Sequence, residues 1–64
     1  MLMCNVTIYR GEKTDDRKLW EDVAGYEIDL DQGTIKACRI LGETKDFAIE
    51  KKIRWSARED YLII

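Results

Sequence analysis

The chain has no histidine and no proline, a single serine (Ser56), 2 cysteines and 4 glycines in 64 residues. Without histidine, most zinc-hydrolase sites, Ser-His triads and Cys-His pairs are excluded together. No glycine-rich phosphate loop is present. The carboxylates, lysines and thiols that remain show no spacing that assembles a reaction centre, so the chain is not expected to be an enzyme. No apolar run approaches the ~20 residues needed to span a bilayer. Met1-Leu2-Met3 is too short for the apolar region of a signal peptide and lacks a basic segment before it. The expected location is therefore cytoplasmic. In that compartment the two cysteines are expected as free thiols, and the glycosylation sequon Asn5-Val6-Thr7 has no consequence.

What is present describes one small domain spanning 1–64. Hydrophobic residues make up 45% and charged residues 38%, a globular composition. A chain of this size buries only about 60% of its unfolded surface, so a partner subunit, a disulfide or a metal would help it. The formal net charge of −2 argues against a general grip on nucleic acid, which needs a basic surface.

Apolar residues recur mostly at spacing two, the strand signature. Cys4, Val6 and Ile8 share one face of a first strand. A polar loop, Gly11 to Arg17, follows, and Lys18 to Val23 resumes the pattern with Leu19 and Val23 in phase. Gly25 marks a bend or bulge within a longer strand. Tyr26, Ile28 and Leu30 alternate with Glu27, Asp29 and Asp31, and Asp31-Gln32-Gly33 suits a tight hairpin. Thr34 to Leu41 is the return strand, and Gly42-Glu43-Thr44 is the next turn. Phe47, Ile49, Ile53 and Trp55 share a phase that Lys51 interrupts, which places a bend near Glu50-Lys51-Lys52. Tyr61 to Ile64 closes the chain's pattern. The expectation is an all-β fold, a small SH3-like barrel of five to six short antiparallel strands. A local alternative is a helix over Lys13 to Ala24, where Leu19/Val23 and Trp20/Ala24 pair at helical spacing.

Four stretches carry chemistry. Asp29-Leu30-Asp31-Gln32-Gly33 begins like a calcium loop but has Thr34 and Ile40 where glycine and glutamate are required, so hairpin-turn carboxylates are the better account. Lys51, Lys52, Arg54 and Arg58 form the one basic cluster, with Trp55 inside it, as a single-strand nucleic-acid platform would need. Alternation instead sends Trp55 inward with Ile53, leaving a solvated basic face. Cys38, mid-strand, reads as a core residue. Cys4 has the same default reading, with a thiol placed for a purpose as its alternative.

The order of short motifs resembles the CooT-like family, small nickel-binding accessory proteins linked to carbon monoxide dehydrogenase maturation. Met3-Cys4-Asn5-Val6-Thr7-Ile8-Tyr9 resembles its Met-Cys opening and first strand. Glu21-Asp22-Val23 resembles the end of its second strand, Ile40-Leu41-Gly42-Glu43-Thr44-Lys45 its hydrophobic-Gly-Glu turn, and Asp60-Tyr61-Leu62-Ile63-Ile64 its closing strand. The resemblance covers nearly the whole chain, through short motifs. It implies a small SH3-like barrel, a homodimer, and nickel(II) bound through the cysteine after the initiator methionine, a role that falls on Cys4 alone. The client would be a nickel enzyme or its maturation machinery.

The departure is Met1-Leu2. Translation from Met3 would let aminopeptidase expose Cys4, whereas Leu2 after Met1 would block that trimming. Nickel(II) accepts thiolates and nitrogen donors in square-planar sites. One cysteine supplies too few ligands, and a two-fold axis would bring a second Cys4 alongside. The thiolate must be deprotonated, so binding weakens as pH falls. The apolar ends Met1-Leu2-Met3 and Leu62-Ile63-Ile64 suggest the interface. Two alternatives stand beside this one: an RNA- or nucleic-acid-binding small barrel, and a structural or regulatory dimer in which Cys4 is only core.

Overall fold

A computed structural model describes residues 5–64. Seven strands follow in order: β1 (Val6–Tyr9), β2 (Lys18–Val23), β3 (Gly25–Asp29), β4 (Thr34–Cys38), β5 (Thr44–Ala48), β6 (Arg54–Ser56) and β7 (Tyr61–Ile63). The only helical element among the described residues is a single 3-10 turn, Asp15–Arg17, so the helix alternative over Lys13 to Ala24 does not form. The strands make two sheets, one in the order β2-β1-β7-β6 and one in the order β3-β4-β5. The all-β expectation holds, with two corrections. Among the described residues there are seven strands rather than five or six, and β1 pairs with β7 in parallel, not antiparallel.

The extra strands arise where one run of sequence serves two sheets. β2 and β3 are separated only by Ala24, whose N–H is already donated to the Cys38 carbonyl at 2.8 Å. The run bends there and passes from one sheet to the other. Likewise Phe47 to Trp55 divides into β5 and β6 around the bend expected near Lys51.

The bend in β2 has a visible cause. Val6 pairs with Val23 and Ile8 with Trp20, so two steps along β1 match three along β2, and a second shift follows between Ile8 and Tyr9. Such bulges kink a strand and increase its twist. Asp22 takes φ 59°, a left-handed conformation in which aspartate is better tolerated than most side chains. The inward positions are therefore spaced three apart: Trp20 and Val23 are buried, and Leu19 is only half-buried. The expected period-two phase of Leu19 with Val23 is corrected accordingly.

The core is Ile8, Trp20, Val23, Ile35, Ala37, Leu62 and Ile64, with Val6, Leu19, Phe47, Ile49 and Ile53 packed against it. Alternation in β4 is regular, so Ile35 and Ala37 point inward while Lys36 faces water. The turns follow the glycines. Gly33 at φ 66° and Gly42 at φ 98° take conformations that a side chain would strain. In the first of these turns Asp29 Oδ1 accepts the N–H groups of Asp31 (3.0 Å) and Gln32 (3.2 Å), the hairpin role expected of that carboxylate.

Edges correct two further expectations. Trp55 lies opposite the buried Leu62, so its phase is the inward one, yet it is 69% exposed. β6 is a three-residue edge strand that, among the described residues, pairs with β7 alone. Tyr26 and Ile28 sit opposite Ala37 and Ile35 but remain exposed for the same reason, with β3 at the sheet edge. Leu62, Ile63 and Ile64 are buried within the single chain. They are thus spent on the monomer's interior, and among the described residues the large exposed hydrophobics are Tyr26, Ile28 and Leu30, Ile40 and Leu41, and Trp55.

Candidate functional site

Cys4 and the Met1-Leu2-Met3 segment lie outside the described residues. What is described is the strand that follows. β1 sits inside its sheet, held by β2 on one side and β7 on the other. Its start is fixed by three contacts: Val6 pairs with Val23, Thr7 pairs with Tyr61, and the Thr7 N–H donates to the Asp60 carbonyl at 3.1 Å. Asp60, like Asp22, is a left-handed residue, at φ 55°.

Cys38 is not in the core. It ends β4 on the face opposite Ala37, is half-buried, and its Sγ lies 3.4 Å from the Gly25 carbonyl as a weak donor. Gly25 sits directly across the ladder, and a Cβ there would meet the same sulfur at 3.4 Å. Among the described residues, no group of three or more cysteine, aspartate or glutamate side chains is arranged to hold a metal ion.

The second feature is a cleft of ≈330 Å³ between the loop after β1 and the segment leading into β6. Five cations line it: Arg10 and Arg17 from the loop, Lys51 and Lys52 from the bend, and Arg54 from β6. Glu12 and Glu50 are the carboxylate side chains in its wall, and Ile63 and Ile64 form an apolar floor. Arg10 Nη1 donates to the Ala48 carbonyl at 2.6 Å, and Arg54 Nη2 to the Gly11 carbonyl at 3.0 Å. These bonds aim both guanidinium groups while leaving their other N–H groups available. Among the described residues none of the five cations is in an ion pair; the pairs are Lys13–Glu59, Lys18–Glu21 and Arg39–Glu43.

The structure thus brings together three members of the basic cluster seen in the sequence, Lys51, Lys52 and Arg54, and leaves Arg58 out. It adds Arg10 and Arg17, which sequence reasoning missed because they belong to a loop far away along the chain. No family model, no curated protein and no solved structure matches the chain.

Proposed function

We propose that the protein is a small cytoplasmic nickel-binding accessory protein, serving delivery or storage for a nickel enzyme. In this reading the fold closes as a small SH3-like barrel, and two copies hold nickel(II) through the Cys4 thiolate of each at the dimer axis. One observation carries the reading beyond the sequence motifs. Two of the other segments that resemble the CooT-like family converge on the start of the strand that follows Cys4: Glu21-Asp22-Val23 ends opposite Val6, and Tyr61 lies opposite Thr7. A third, Leu41-Gly42-Glu43, forms a tight turn around Gly42.

The donor chemistry narrows the ligands. Cys38 is mid-sheet, engaged with the Gly25 carbonyl, and has no terminal amine beside it. The ligand set then comes from Cys4, the adjoining main chain and a second copy, since soft thiolates suit nickel and symmetry doubles each donor. The exposed apolar residues Tyr26, Ile28 and Leu30 offer surface for such pairing.

The test is paired. Cys4→Ser abolishes the thiolate-to-nickel charge-transfer absorption, and Cys38→Ser leaves it intact. Chains started at Met1 and at Met3 separate the roles of amine and thiolate: tighter binding by the shorter, trimmed form assigns the amine as a ligand. Sedimentation with and without nickel reads the dimer. Undiminished nickel binding by Cys4→Ser refutes the proposal.

A further inference from the structure

The cleft beyond the Tyr9 end of β1 concerns a different chemistry from the metal reading, which rests on residues before the Val6 end. Its side chains carry five positive and two negative charges, leaving it three positive. The whole chain has a formal charge of −2, so the cleft inverts the sign of its surroundings. Cations of like sign held together without carboxylate partners repel one another, and that repulsion is relieved when an anion enters.

We propose that this cleft binds a small organic phosphate with at least two negative charges, such as a diphosphate ester. Two observations converge on that class. The volume of ≈330 Å³ lies at the lower end of sites for small ligands, about 300–1,000 Å³. The two oriented guanidinium forks, from Arg10 and Arg54, match the oxygen spacing of phosphate, with Lys51 and Lys52 as mobile point charges beside them.

A nucleic-acid strand fits less well. A strand site needs an aromatic platform running on from its phosphate groove. The exposed Trp55 follows Arg54 in β6, and alternation sends the two side chains to opposite faces; Trp55 does not line the cleft. Ile63 and Ile64 provide a floor for an apolar part of a small ligand, but no stacking ring.

The experiment is an amide NMR titration of the full chain with pyrophosphate at low ionic strength. Saturable shifts confined to Gly11, Lys51, Lys52, Arg54 and their neighbours are expected. Lys51→Gln with Lys52→Gln, both exposed and without side-chain hydrogen bonds among the described residues, weakens binding about tenfold or more. Lys36→Gln with Arg58→Gln removes the same charge outside the cleft and leaves binding within about twofold. Shifts spread over the surface, or an equal loss in the two double variants, overturn the proposal in favour of general charge attraction. Tighter binding of an oligouridylate with quenching of Trp55 overturns it in favour of a strand site. Equal binding of an acidic peptide overturns the phosphate assignment. Cys4→Ser should bind pyrophosphate like the parent, so the nickel and phosphate readings fail separately.

Discussion

The guanidinium of Arg39 lies over the indole of Trp20, 4.2 Å from the ring centroid. Lys45 Nζ is 5.2 Å from the same ring, and Phe47 tilts against it at 6.3 Å. Trp20 belongs to β2, whereas its neighbours come from the β4–β5 hairpin, so this stack joins the two sheets. Arg39 Nε also donates to the Glu21 carbonyl at 2.9 Å. Arg39→Ala is expected to lower stability by about 1–2 kcal/mol, from the lost cation–π contact and hydrogen bond. Arg39→Lys should recover less than half, because an ammonium cannot both lie flat on the ring and make the directed bond. Urea midpoints check this; an unchanged midpoint for Arg39→Ala refutes it.

The two tryptophans should be distinguishable in solution. Trp20 is 7% exposed and Trp55 69%. Iodide or acrylamide is expected to quench one emission component and spare the other. Trp55→Phe should remove the quenchable component and change stability by less than about 0.5 kcal/mol, as for an ordinary surface position. A loss well above that would mean Trp55 is covered in solution, by another copy or another part of the chain.

Leu62 gives the opposite result. It is 1% exposed and lies between Ile8 on one side and Trp55 on the other in its sheet. Leu62→Ala should cost about 2–5 kcal/mol, the transfer term plus the cavity. Leu41→Ala, at a position 90% exposed, should fall within about 0.5 kcal/mol of the parent. Thermal or urea unfolding of the pair checks the contrast.

Lys13 is held by Glu59, Nζ to Oε1 at 2.8 Å, and its ammonium also lies 4.7 Å from the centre of the Tyr61 ring. The hydrogen bond to Glu59 raises its pKa above the usual 10.5. A raised value favours the protonated form in the fold. The contribution is therefore fully present below the unfolded pKa and is lost as pH rises through the folded one, in a window above the ordinary lysine value. Side-chain NMR should show Lys13 titrating above the usual lysine value, and Glu59→Gln should bring it back towards the ordinary range. Because both groups are exposed, the effect on overall stability is small.

The sequence was informative where local chemistry decides the structure. Gly33 and Gly42 announce turns, and the alternation of Ile35 and Ala37 with Lys36 announces which side of β4 is buried. It was misleading where pairing decides. Leu19 packs partly against the core, but the shifted register against β1 sets Trp20 opposite Ile8 and makes it the buried residue of the two. Trp55 has the phase of a core residue, but a period says nothing about whether a strand stands at an edge. The basic cleft was half-legible: Lys51, Lys52 and Arg54 are near neighbours in sequence, while Arg10 and Arg17 reach it only because the loop after β1 lies against the bend before β6.

The parallel ladder between β1 and β7 sets a timetable for the chain. Thr7, Ile8 and Tyr9 pair with Tyr61, Leu62 and Ile63, the most distant partners in the fold. Until those residues leave the ribosome, β1 has β2 on one side and a bare edge on the other. Local hairpins such as β3–β4–β5 can form earlier, since their partners are close in sequence. The buried core cannot close without Leu62 and Ile64. The core consequently closes only once β7 is available, and any truncation before Tyr61 leaves an open strand edge that invites aggregation.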